Sequence, residues 1–304
     1  MRIALYTDLD LVGDALIKLP FLRAVRNAYP RAHVTWIAGR GPTAFAGALA
    51  PLTPGLLDRV LEHTGVGAAL AGQAGRPDLL LDTQQSLLTV LSLWRVLRPR
   101  RTVAMALQWR KPVHLVRRLL HLLERASGQP ADPSGRLQLP AAALERSAAL
   151  LPAGPTYIAQ IVGAGGKHKA WPVAHHVALA NALRGAGLVP VLILGPDEQG
   201  DHASLSDALP FAIFPLQEGP AAGPELTIAL GARCDAGVAA DCGGGHMLAA
   251  SGTRLVSLFG PTAPEKFAPW CADLTILRAE GSDMATVPVD AVLAALLSQP
   301  CAKS

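Results

Sequence analysis

Residues 241–262 read DCGGGHMLAASGTRLVSLFGPT. An acid, three glycines and a histidine make a short polar loop that leads into a helix of small residues. The apolar run 255–259 then reads as a strand ending in Gly260-Pro261-Thr262. Elements alternating in this way build parallel sheets wrapped by helices. The same stretch has the layout of an anion site, because glycines let a ligand approach the backbone and the amides at a helix start point toward negative charge. Taken alone, it leaves a second reading open, an ordinary strand-to-helix turn capped by Asp241.

The rest of the chain repeats the alternation. Residues 2–6 read as a strand, and residues 14–28 as a helix from the spacing of Leu16, Leu19, Leu22 and Val25. Residues 33–38, 79–81 and 102–106 read as further strands with helical stretches between them. The longest uncharged stretch, residues 147–166, has the length of a membrane span, but Pro152, Gly154 and Pro155 break it as a helix, so it reads as an interdomain connection. The pattern then restarts with strands at 157–162, 189–194 and 235–240 and a helix at 173–186. The expected architecture is α/β, with two Rossmann-like halves at 1–152 and 153–304. Ligands of such sheets bind beyond the strands' carboxyl ends, so the loops after Tyr6, Val162, Leu194 and Ala240, and a cleft between the halves, are where chemistry is expected.

Composition sets outer limits. A chain of 304 residues, half of them hydrophobic, suits two domains with substantial cores. A net charge of +4 favours anionic partners without indicating nucleic acid, and 5% aromatic residues argue against base-stacking platforms. Cys234, Cys242, Cys271 and Cys301 contain no CxxC pair and are too few for a disulfide framework, which suits a reduced cytoplasmic compartment. Asp8 and Asp10 interrupt the opening apolar run, so no export signal is expected.

Several familiar chemistries drop out. No GxxxxGK[ST] stretch occurs and no GxGxxG follows the first strand. His175 and His176 adjoin on a helix and point to different faces, which predicts packing or surface roles and no metal site. Asp14, after Gly13, reads either as a helix cap or as a carboxylate able to take a proton from an attacking alcohol. The loop GAGGKHKAWP at 163–172 puts Lys167 and Lys169 beside flexible glycines, either as a solvated basic loop or as a diphosphate site. Asp197 and Glu198 follow a strand, as a turn or as partners for a ribose hydroxyl. Arg95, Arg98, Arg100, Arg101, Arg110, Lys111, Arg117, Arg118 and Arg125 are interleaved with Leu97, Trp109, Leu115 and Leu119. They read as a solvated helical face or as a surface for anionic lipid headgroups or a phosphorylated acceptor.

Together these loops resemble glycosyltransferase family 9, the ADP-heptose:lipopolysaccharide heptosyltransferases and their relatives. The resemblance runs through GDALIKLPFLRAVRNAYPRAHVTWIAG (13–39), KAWPVAHHVALANALRGAG (169–187), LILGPDE (192–198) and DCGGGHMLAASGTRLVSLFGPTAPEKFAPW (241–270). The last fits the family's DxGxxHxxAA followed by a strand and FGPT. It implies a GT-B fold, two facing Rossmann-like domains with the acceptor in the first and a nucleotide sugar in the second, and metal-independent inverting transfer with no cofactor. By resemblance, Asp14 is the general base, with Asp10 and Gly13 on the acceptor side. Lys169, with Lys167 as the nearby alternative, contacts the donor phosphates, and Glu198 lies near the donor ribose. Asp241, Cys242, Gly243, Gly244, Gly245 and His246 form the donor-binding loop. Two departures stand out: Asp10, Leu11 and Val12 replace the serines or threonines common before the GD pair, and Cys242 replaces a small hydroxyl residue.

The expected function is therefore transfer of a sugar from a nucleotide-diphospho-sugar, with ADP-heptose as the donor the family suggests, to a lipopolysaccharide-core or other cell-envelope acceptor. It is expected in the cytoplasm, in peripheral contact with the inner membrane face through residues 95–125. A silent sugar-nucleotide-binding module and a nucleotide-sugar epimerase are the alternatives.

Overall fold

The computed structural model describes residues 1–108 and 112–298, so Trp109, Arg110, Lys111 and Cys301 of the sequence reading lie outside the described residues. The chain divides into two compact units, Met1–Gln138 and Leu139–Ser304.

The first unit runs β1 (Arg2–Thr7), α1 (Val12–Leu16), α2 (Leu19–Ala28), β2 (His33–Ala38), β3 (Arg59–Glu62), α3 (Ala68–Ala74), β4 (Leu79–Asp82), α4 (Leu87–Leu97), β5 (Arg101–Ala104) and α5 (Leu115–Ser127). Its five strands are all parallel, in the order β3-β2-β1-β4-β5. The central strand β1 is buried on both faces from Ile3 to Thr7, which is why it reads as a continuous apolar run rather than an alternating one. Helix α5 turns Val116, Leu119, Leu120, Leu122 and Leu123 into the core and ends at Gly128, whose φ of 75° is the left-handed value glycine adopts at a helix end.

The second unit runs α6 (Ala141–Leu150), β6 (Tyr157–Ile161), α7 (Val173–Gly185), β7 (Val189–Ile193), α8 (His202–Ala208), α9 (Pro224–Gly231), β8 (Ala236–Ala240), α10 (Gly243–Ser251), β9 (Arg254–Phe259), α11 (Pro264–Phe267), β10 (Leu274–Arg278) and α12 (Val289–Leu297). This sheet is parallel too, but its order is β10-β9-β8-β6-β7. Counted from its own first strand that is 2-1-3-4-5, against 3-2-1-4-5 in the first unit. Both are doubly wound orders, and each has one place where consecutive connections leave in opposite directions. That switch point lies between β1 and β4 in the first unit and between β6 and β8 in the second.

Several expectations need correction. The single helix read at 14–28 is two, because Pro20 has no N–H to give the Leu16 carbonyl and its ring crowds that group; α1 stops at Leu16 and α2 restarts with the proline in its first turn. The strand read at 102–106 ends at Ala104 and becomes a short 3-10 turn, Met105–Leu107. Strands β3 and β10 escaped the sequence reading: β3 is four residues with one buried side chain, and no residue of β10 is fully buried. Compactness puts α6 with the second unit, where it packs on α9, ahead of the boundary read at 152/153. The stretch 147–166 is thus internal to that unit and carries β6. No helix among the described residues is long and apolar enough to cross a membrane.

Candidate functional site

In the first unit the carboxyl ends of β1 and β4 bring four acids to the switch point or beside it. Asp10 is fully buried. Lys18 donates from Nζ to its Oδ1 at 2.5 Å, and the Thr43 hydroxyl donates to its Oδ2 at 2.5 Å. The main chain repeats the tie, with the Asp10 amide donating to the Pro42 carbonyl (3.2 Å) and the Ala44 amide to the Asp10 carbonyl (3.0 Å). Both oxygens of the residue expected on the acceptor side are therefore committed, one to Lys18 at the start of α2 and the other to fastening the β1 loop to the segment after β2.

Asp14 is the opposite case. The cap position of α1 is Leu11, so Asp14 lies inside the first turn and is not the cap. Its side chain is exposed, and among the described residues it makes no hydrogen bond or ion pair. A β-carbon on Gly13 would meet nothing within 4 Å, so the space before Asp14 is open. A carboxylate in that position is accessible and uncommitted, as a proton acceptor must be.

Asp82, the last residue of β4, was missed. It is completely buried, its Oδ1 accepts from the Gln84 amide at 2.9 Å, and its Oδ2 has no partner among the described residues. Burial pushes its carboxyl up to about 7, with the charge of Asp8 adding to the rise and the Gln84 amide opposing it. Nearby, the Tyr6 hydroxyl donates to Asp8 Oδ1 at 3.1 Å, and burial raises its pKa well above the ordinary range. A β-carbon on Gly39 would collide with that hydroxyl, so glycine is required where β2 ends. The available signal was LLLDTQ, an acid placed directly after an apolar strand.

In the second unit, the loops after β6 and β8 flank the switch point. Gly166, at φ 147°, turns the first of these into a 3-10 segment, Lys167–Lys169. Two residues on, Trp171 is buried and donates from Nε1 to the Val287 carbonyl at 3.1 Å, which anchors the loop to the core. Lys169 is thereby held with its Nζ 3.5 Å from Asp241 Oδ2, while Lys167 is exposed. The structure thus joins two of the expected donor residues and leaves the alternative lysine outside the pair.

Residues 243–246 are not a loop. Helix α10 begins at Gly243, with Cys242 at the cap position and no side-chain cap bond, so Asp241 is not the cap either. Close packing accounts for the glycine in this first turn: a β-carbon on Gly244 would sit 2.6 Å from Ile161 Cγ2 at the end of β6. Gly245 and His246 are buried within the helix. The Cys242 side chain packs against the core below, and burial raises its thiol to about 11, so it stays protonated at neutral pH.

Glu198 sits on a 3-10 turn, Pro196–Asp201, after β7. Its carboxylate lies over Gly163 and Gly195, where β-carbons would run into it, and burial followed by the charge of Asp197 raises its pKa. Its charge is also felt at Cys242, so Glu198 and the start of α10 share one edge of the sheet. His176 is buried, its Nδ1 lies 3.0 Å from Gln160 Oε1, and burial lowers its pKa to about 3, a packed neutral imidazole. Among the described residues no three His, Cys, Asp or Glu side chains are grouped so as to hold a metal ion.

Comparison with known proteins adds two findings. The sequence model of glycosyltransferase family 9 (heptosyltransferase) matches residues 97–293. Among solved structures, a family 9 glycosyltransferase from Veillonella parvula superposes with a TM-score of 0.73 at 16% identity, covering 97% of this chain and 95% of that one. The E. coli ADP-heptose lipopolysaccharide heptosyltransferase II gives 0.72 at 18%, covering 97% of each. An E. coli heptosyltransferase solved with ADP gives 0.69 at 20%, covering 96% of this chain and 98% of that one. No curated protein matches by sequence.

Proposed function

We propose, from the premise that this chain belongs to glycosyltransferase family 9, that it is an inverting glycosyltransferase that moves a sugar from a nucleotide-diphospho-sugar, ADP-heptose by family, to a hydroxyl of a lipopolysaccharide-core or other cell-envelope acceptor. The observation that carries this reading is the Lys169–Asp241 pair at the switch point of the second sheet, directly before α10.

Cleavage of the anomeric C–O bond sends its electron pair to the leaving nucleoside diphosphate, whose growing charge needs cationic and amide donors already in place. Lys169 supplies the cation and the first-turn amides of α10 supply the dipole, so the step needs no metal. Asp241 orients the lysine and is free to turn an oxygen toward a sugar hydroxyl, while Glu198, at the neighbouring strand end, faces the ribose. The acceptor oxygen forms its bond to the anomeric carbon from the face opposite the leaving group and inverts it. Its proton passes to the Asp14 carboxylate. Protonated Cys242 leaves the phosphate region without a thiolate to repel it.

Thermal melting against ADP-, GDP- and UDP-sugars tests the donor half, since a ligand that binds only the folded state raises the midpoint. An upward shift with one nucleotide sugar, lost in Lys169→Ala, is expected. No shift with any of them overturns the reading.

A further inference from the structure

Residues 95–125 read either as a solvated helical face or as a surface for anionic lipid headgroups or a phosphorylated acceptor, and the structure takes two of their apolar residues out of any such surface. Leu97 and Leu119 are buried, and α5 spends its apolar stripe on the core. Exposed apolar surface gathers instead on α4, where Leu87 (56%), Leu88 (76%), Leu91 (58%) and Trp94 (58%) are open while Val90, Leu93 and Leu97 pack inward. At 100° per residue these four fall within one arc of about 120°. Arg95 and the capping Arg98 continue the same arc, both exposed, and neither side chain makes an ion pair among the described residues.

Further apolar residues share this edge. Leu9 and Leu11 are exposed in the loop after β1, the strand hydrogen-bonded to β4, from whose end the chain enters α4. Asp14 follows on α1. Charge then selects the occupant. Residues 1–138 carry 18 Lys and Arg against 9 Asp and Glu, a net of +9, whereas residues 139–304 carry 9 against 14, a net of −5. A second copy docked on this face would bring two strongly positive surfaces together. An anionic bilayer has the opposite charge, an apolar interior for leucines, and a headgroup layer that suits tryptophan.

We propose that the exposed face of α4, with Leu9 and Leu11, is an in-plane docking surface for an anionic lipid bilayer. The three leucines and Trp94 enter the headgroup boundary, and Arg95 and Arg98 meet lipid phosphates. This deepens the transferase reading and rests on it for the nature of the acceptor, a glycolipid presented at the edge that carries Asp14.

Sedimentation of the full chain with phosphatidylcholine vesicles, with and without phosphatidylglycerol, tests it. Binding to the anionic vesicles that weakens with salt is expected. The Leu88→Ser/Leu91→Ser/Trp94→Ser variant should bind at least about tenfold more weakly at an unchanged melting midpoint, because exposed side chains contribute little to folding. Arg95→Gln/Arg98→Gln should reduce the preference for anionic lipid. Wild-type chain that ignores both vesicles, a triple variant that binds like wild type, or a lipid-free dimer that the triple variant dissolves would each overturn the proposal. Donor-induced thermal shifts report separately on the transferase reading, so failure of the docking surface and failure of that reading are told apart.

Discussion

The two units are built from the same parts and wired differently, and the lysine–aspartate pair beside each switch point is held differently: Lys18–Asp10 is buried in the first, Lys169–Asp241 is partly open in the second. The net-positive first unit gathers acids at or beside its switch point, namely Asp8, Asp10, Asp82 and Asp14. The net-negative second unit places a lysine there, paired at 3.5 Å with a carboxylate. Net charge describes a domain's surface, whereas the loops after two particular strands set the charge of its site. Order differs as well. Lys169 is anchored through Trp171 and tied to Asp241, while Asp14 is exposed and uncommitted. A diphosphate is best met by a cation already in place, and a base must be free to take a proton.

The sharpest way to break that contrast is Asp14→Asn. It should lower transfer by about a hundredfold to ten-thousandfold, the usual contribution of a general base, with the donor-induced shift in melting midpoint unchanged. Full turnover by this variant would leave the first unit without its base.

Asp82→Asn tests whether the buried acid of the first unit carries strain. Its carboxyl stands at about 7 in the folded protein against 3.8 ordinarily, so between these values the native state keeps a proton that the unfolded chain has lost. Wild-type stability should therefore fall relative to the variant as pH rises from about 4 to 7, then run parallel above 7. The plateau difference is on the order of a few kcal/mol in urea unfolding. A difference independent of pH would refute the shifted acid.

In the second unit, Lys169→Ala should weaken donor binding about tenfold to a hundredfold by calorimetry, the size of a charge-assisted hydrogen bond, whereas Lys167→Ala should change it less than about threefold. Equal effects would show that the pair with Asp241 confers no distinction. The smallest expected effect is that of Gly244→Ala. Alanine favours helix by about 1 kcal/mol, but its β-carbon lies 2.6 Å from the stiff branch of Ile161, and the clash should win by about 1 kcal/mol, lowering the melting midpoint by a few degrees.

Much of the second unit's site was legible because its motif is compact. Acid, glycines and strand lie within 22 residues, and each glycine narrows what can stand beside it. Less of the first unit could be read. Asp10 and Asp14 look alike in sequence, both acids in one loop, but Lys18 and Thr43 close over the first and leave the second open. The leucines of α4 look alike too, until the sheet covers Leu93 and Leu97 and leaves Leu87, Leu88 and Leu91 exposed.

Local periodicity and turn chemistry were enough, from the sequence by itself, to specify the alternation of strand and helix, the two-part organisation and the loops that bear charge, because those are set by neighbours a few residues apart. Strand order, the burial of Asp82, the pairing of Lys169 with Asp241 and the exposed face of α4 were decided only by the tertiary structure. Each depends on which distant element covers a side chain, and no local pattern records that.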